Sequence, residues 1–145
     1  MCKFAPKLKQ YMEESEFKNR VNKAYHDFLF SVFDCVLDER KYIYQRLSPQ
    51  DKILFLNILR NQMEEEYSHK ENHLVKPPKD FPVINYIPSI TEKEYRDYIE
   101  KVYKKEIMES CIKNDKQRLE VIKYEIVSRF VERERYNIRK LLGKI

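Results

Sequence analysis

His69 and His73 stand four residues apart, with Glu65 and Glu66 one helical turn before them. On a helix that spacing puts both imidazoles on one face, where two neutral His side chains and a carboxylate can ligate zinc. The order is His-Lys-Glu-Asn-His, however, and not the His-Glu-x-x-His of a metalloprotease, in which the glutamate is the general base. The segment is also the polar tail of its helix, so no metal site is expected. His26 lies beside an apolar stripe and reads as a partly buried histidine, not as a base. Cys2, Cys35 and Cys111 are odd in number and far apart, without a CxxC pair; they read as reduced thiols of a cytosolic or matrix protein. One glycine, Gly143, cannot build a phosphate-cradling loop, and no Gly-x-Ser-x-Gly nucleophile elbow occurs. Carboxylates abound, but Glu64-Glu65-Glu66 and the Glu132/Glu134 pair have the pattern of solvated helix faces. The expectation is a non-catalytic protein without a cofactor.

Charge points to partners without choosing among them. The net charge of +5 comes from 29 Lys and Arg against 24 Asp and Glu, spread along the whole chain with no block of five like charges. Such a balance suits an anionic neighbour: a lipid surface, an acidic protein or RNA. Arg133, Arg135, Arg139 and Lys140, interleaved with Tyr136, form a basic face that could lie along phosphates. Glu132 and Glu134 alternate with those arginines and no RNA-binding motif is present, so salt bridges within the helix are the simpler expectation.

The elements that must position these residues are helical. With 42% apolar and 37% charged residues in a chain of 145, one domain spanning 1–145 with a real core is expected. A single glycine leaves tight β-hairpin turns almost nothing to occupy φ > 0. The predicted fold class is all-α, with about four helices and no substantial sheet. The first helix is expected near 16–37: Phe17, Val21, Ala24, Phe28, Val32 and Val36 recur in steps of three and four, widened by Tyr25, Leu29 and Phe33, with Ser15 as N-cap. The second, near 49–70, is announced by Ser48-Pro49, with Asp51 in its first turn. Its Ile53, Leu54, Phe55, Leu56, Ile58 and Leu59 are apolar almost all round, which predicts burial from more than one side. The third, near 92–112, follows the capping box Thr91-Glu92-Lys93-Glu94. The fourth, near 115–142, carries Leu119, Ile122, Ile126 and Phe130. The apolar runs FLFSVF and ILFL are far too short to cross a bilayer. The N-terminal stretch lacks the apolar core of a secretory signal and turns acidic early for a cleaved transit peptide.

Between the second and third helices lies HLVKPPKDFPVINYIPSI, residues 73–90, which holds four of the six prolines. An extended, proline-stiffened segment loses little entropy on lying across a surface. Leu74, Val75, Phe81, Val83, Ile84, Tyr86 and Ile87 can cover apolar surface, while Lys76 and Lys79 reach solvent or lipid headgroups. That surface belongs either to the chain's own helices or to a partner. Taken with Phe55, Leu56 and Leu59 of the second helix, the strap predicts a partner interface that completes the core.

The order of features resembles the small helical subunit 7 family of ubiquinol–cytochrome c reductase, respiratory complex III. There an acidic patch precedes an Arg-Leu-Pro step into a helix, then a Leu-Pro-Lys turn and a Tyr-Leu-x-Pro segment before a charged C-terminal helix. Here Asp38-Glu39 matches the patch and Arg46-Leu47-Ser48-Pro49 the step, with one residue more. Pro77-Pro78-Lys79 resembles the turn, and Tyr86-Ile87-Pro88 the last segment, with one residue fewer. The likeness spans roughly residues 20–105. The family helix is arginine-rich where this chain has only Arg60, and the charged tail after Ile112 is longer. The resemblance implies a non-catalytic subunit, peripheral on the matrix side of the mitochondrial inner membrane, docked against cytochrome b and near anionic lipid. The alternative is a mitochondrial ribosomal or other RNA-associated structural protein.

Overall fold

The computed structural model describes residues 5–68 and 82–145, and among them it is all-α: five α-helices, one 3-10 turn and no strand. The histidine pair and Leu74, Val75, Lys76, Lys79 and Phe81 lie outside the described residues. No described helix is long and apolar enough to cross a membrane.

Helix α1 runs from Ala5 to Gln45, well beyond the expected 16–37 at both ends, and at 1.5 Å per residue it is about 60 Å long. Ser15 is therefore interior and caps nothing. Residues 13–20 are exposed throughout and Val21 is buried, so the two turns before Val21 stand clear of the core. They remain helical on propensity, with three glutamates, Lys18 and Arg20 among these eight residues. At the other end, tertiary contacts carry the helix through Asp38-Glu39-Arg40: Arg40 is buried, and Ile43 and Tyr44 pack in a second cluster. The stripe from Val21 to Val36 is buried as its period requires, while Phe17 is exposed and Ala24 half-buried.

Helix α2, Pro49–Ser68, begins where Ser48-Pro49 placed it. The Ser48 hydroxyl accepts the Asp51 N–H at 3.2 Å, and the Asp51 carboxylate meets Lys144 Nζ at 2.5 Å. Among the described residues α2 buries one side, through Phe55, Leu59 and Met63, while Ile53 and Leu54 face outward, 64% and 44% exposed. The 3-10 turn Val83–Asn85 interrupts the extended connector.

The expected third helix is two: α3, Ser89–Val102, and α4, Lys104–Lys113. They meet at Tyr103, whose φ of −118° bends the axis while its N–H still reaches Ile99 O at 2.8 Å. The bend lets Tyr95 and Ile99 before it, and Ile107 and Cys111 after it, enter one core with α1 and α5. Helix α3 starts two residues before Thr91, so the capping box is not used. Helix α4 ends on Asn114 in the left-handed region, φ 54°, with the Asp115 N–H on Ser110 O; asparagine tolerates that conformation better than any residue but glycine. Asp115 then caps α5, Lys116–Leu141, by accepting the Arg118 N–H at 3.1 Å.

Two clusters hold the bundle. The larger joins α1, α3, α4 and the first half of α5; the smaller gathers Phe55, Leu59 and Ile138 with Ile43, Tyr44, Leu47, Val83 and Leu142. Arg40 pairs with Glu134, and further along both helices Ile43 and Tyr44 share a cluster with Ile138 and Leu142, so α1 and α5 run in the same direction. Both end beside the start of α2. Asp115→Ala should lower stability by about 1 kcal/mol, because an orphan N–H loses its acceptor, while Thr91→Ala should cost less than about 0.5 kcal/mol. Urea unfolding followed by circular dichroism checks both, and equal losses would mean that Thr91 is a working cap.

Candidate functional site

Arg40 lies on the stripe that continues Val36 along α1, and Glu134 on the stripe Ile126–Phe130–Ile138 of α5. Each charge therefore points into the bundle, and both side chains are almost wholly buried. They pair through the full fork: Arg40 Nε donates to Glu134 Oε2 at 3.0 Å, and Nη2 lies 2.8 Å from both carboxylate oxygens. The Tyr95 hydroxyl of α3 donates to Oε1 at 2.7 Å, and Arg40 Nη1 donates to the Tyr86 carbonyl. Burial, and next the charge and hydrogen bond of Glu134, push the Tyr95 phenol far above the ordinary tyrosine range. Its ring stacks on Phe130, centroids 4.1 Å apart. Bidentate, charge-assisted and shared, this network joins α1, α3, α5 and the connector.

Sequence reasoning assigned Glu134 to a solvated face, and that is corrected here: Glu132 is exposed, Glu134 is not. The signal was a lone carboxylate at an i+4 step of an apolar stripe, with an arginine in the same situation on another helix. His26, expected to be partly buried, is exposed. Two arginines of α5 pair with other helices: Arg133 with Glu94 at 2.5 Å, and Arg118 with Glu106 at 3.5 Å. Cys111 is buried, and burial pushes its thiol up, which leaves it a poor nucleophile. No group of three or more metal-ligating side chains occurs among the described residues.

Beside the network, a cleft of about 950 Å³ opens between α2 and the α3–α5 pair. It lies between the contact of α2 with α5, made by Phe55, Leu59 and Ile138, and the part of α2 that carries Gln62 to Glu66. Gln62, Glu65 and Glu66 form the α2 wall, Pro88 to Thr91 and Asn137 the opposite one, and Arg40 and Glu134 reach the floor. Glu66, half-buried and not simply part of a solvated acidic run, reaches across. Its Oε1 accepts the Ser89 N–H at 2.9 Å. Pro88 has no side-chain oxygen to cap α3, so a carboxylate from another helix satisfies that orphan donor.

Of the residues expected at a partner interface, Phe55, Leu59 and Tyr86 all line this cleft. Phe55 and Leu59 are at the same time buried in the chain's own second cluster, against which Val83 also packs. Ile87 packs on the main core, and Leu56 and Ile84 are half-buried elsewhere. Among the lining residues that were not foreseen, two are exposed aliphatic side chains: Ile90, 75% exposed, and Leu141, 41% exposed.

Glu134→Ala should cost about 3–5 kcal/mol, because it strands a buried guanidinium, whereas Arg40→Met with Glu134→Leu should recover most of that loss; denaturant melts of the three chains measure it. The phenol gives a pH dependence too. Above about pH 10 unfolded tyrosine ionises while Tyr95 in the fold keeps its proton, so the unfolded state holds fewer protons and stability falls as pH rises. Tyr25 and Tyr103, also pushed up by burial, add to the slope. Tyr95→Phe should flatten the alkaline limb of melting temperature against pH.

Compared with known proteins, the chain matches no family model, no curated protein and no solved structure.

Proposed function

We propose that the chain is a non-catalytic structural subunit of the mitochondrial respiratory chain, similar to subunit 7 of complex III, peripheral on the matrix side of the inner membrane and docked against cytochrome b. The observation that carries this is the cleft. It is preformed, floored by an apolar cluster and a satisfied ion pair, and bordered by isoleucine and leucine side chains that the described chain leaves in water. A groove between two helices is the shape that receives a partner's helix, whose apolar ridge enters while the rim supplies hydrogen bonds. The functional groups near the cleft support the same view: Arg40, Glu134 and Tyr95 satisfy one another and hold helices, and Glu66 caps α3. The motif likeness at Arg46 to Pro49 and Tyr86 to Pro88 supplies the specific assembly, and both motifs flank elements of this site.

The test is purification of the tagged chain from mitochondria in mild detergent, beside Ile90→Glu. Ile90 is exposed, so the substitution should change stability by no more than about 0.5 kcal/mol. The wild-type chain should bring down cytochrome b with its haem spectrum, and Ile90→Glu should lose most of it. Ribosomal RNA in place of haem, or normal assembly of the variant, would overturn the proposal.

A further inference from the structure

The parallel course of α1 and α5 brings three chain segments to one end of the bundle: the close of α1, the first turns of α2 and the close of α5. Contact is direct there, since Lys144 Nζ lies 2.5 Å from Asp51 and Leu142 packs in the cluster of Phe55, Tyr44 and Leu47. Residues 41–54 and 138–145 supply this end. They contain six of the 29 basic side chains and one of the 24 acidic ones, so the remainder of the chain carries 23 of each. The excess of five positive charges in these two segments equals the net charge of the whole chain, and their single acidic side chain, Asp51, is engaged by Lys144. Among these cations, apart from Leu141 at the cleft, three aliphatic side chains stand in solvent: Ile53 at 64%, Leu54 at 44% and Ile145 at 67% exposure.

We propose that this end of the bundle docks on an anionic lipid surface, with the three aliphatic side chains entering the headgroup region and the Lys and Arg side chains meeting lipid phosphates and carboxylates. Shallow apolar insertion within a ring of cations is the chemistry of interfacial membrane binding, in which the two contributions reinforce each other. Helix-end electrostatics explain part of the charge, because Arg139 and Lys140 complement the C-terminal dipole of α5. They do not explain aliphatic side chains left in water. Nucleic acid would meet the cations but gain little from Ile and Leu, which offer bases no stacking face. The proposal does not depend on which assembly the cleft serves, since bare vesicles contain no protein partner.

Flotation of the full chain with phosphatidylcholine vesicles, with and without phosphatidylserine, tests it. The protein should float only with phosphatidylserine-containing vesicles and be released by salt. Arg139→Ala should lower the affinity about fivefold, the effect of one cation near such a surface. Lys116→Ala, which removes the same charge about 35 Å away at the start of α5, should leave the affinity within twofold. Leu54→Ser with Ile145→Ser should reduce binding severalfold with the helical spectrum unchanged. Equal losses from Arg139→Ala and Lys116→Ala would mean that net charge alone acts, and would overturn the proposal. So would binding to phosphatidylcholine alone, no binding to any vesicle, or poly(U) binding lost through Arg139→Ala without vesicle binding.

Discussion

The bidentate contact between Arg40 and Glu134 constrains almost everything else in the bundle. Removing two ions from water costs several kcal/mol each, which is recovered only where geometry is good and the remaining hydrogen-bonding sites are filled. Both conditions are met in large part: Glu134 takes the Arg40 fork and the Tyr95 hydroxyl, and Arg40 Nη1 donates to the Tyr86 carbonyl. The consequence is register. A slip of α5 by one turn along α1 would move Glu134 about 5.4 Å and leave both charges buried and unpaired. Apolar side chains alone would resist such a slip weakly, since the stripes of α1 and α5 repeat with the helical period. The pair thus fixes how far α5 advances, which in turn sets where Ile138 meets Phe55 and where the chain's last residues come to rest.

From that register follows the shape of the cleft. Ile138 anchors the start of α2 one turn beyond Glu134, and Tyr86, held through its carbonyl, brings the connector past the same point. Helix α2 is thereby fastened at its beginning and bridged near its far end by Glu66 on Ser89, with open space between. The bridge substitutes for a cap that Pro88 cannot provide, so the helix that leaves the connector depends on a side chain of the helix that enters it. The acidic run Glu64-Glu65-Glu66 accordingly has divided duties. Glu64 and Glu65 are exposed, and Glu66 is turned inward by one helical step.

Much of the fold was legible in local chemistry. Ser48-Pro49 and Asp115 marked helix starts because capping is decided by two or three neighbouring residues, and the structure uses both. The α1 stripe was legible because its period leaves one face to bury. What escaped depends on partners distant in sequence. The continuation of α1 past Leu37 rests on Arg40 finding Glu134 ninety-four residues away, and the bend at Tyr103 rests on two faces seeking one core. Thr91 carried a capping box by sequence, yet the helix begins earlier because Glu66 reaches Ser89. Of the candidate site, Phe55, Leu59 and Tyr86 were found by their apolarity. Ile90 was not, since an isoleucine beside a helix start has nothing in its local pattern to distinguish core from rim.

Charge shows the same division between composition and arrangement. Along the sequence the cations look evenly spread, and only folding gathers the excess, by laying residues 138–145 against the first turn of α2. The chain's only glycine makes that placement. Gly143 sits at φ +72°, with the Lys144 N–H on Arg139 O at 2.9 Å, closing α5 in a conformation that costs other residues roughly 1–2 kcal/mol. The reversal carries Lys144 onto Asp51, whose carboxyl the Lys144 contact holds below its usual range. The one acidic side chain of these segments is thereby neutralised by its own chain, and Arg46, Arg139 and Lys140 are left exposed without a competing Asp or Glu from the same segments.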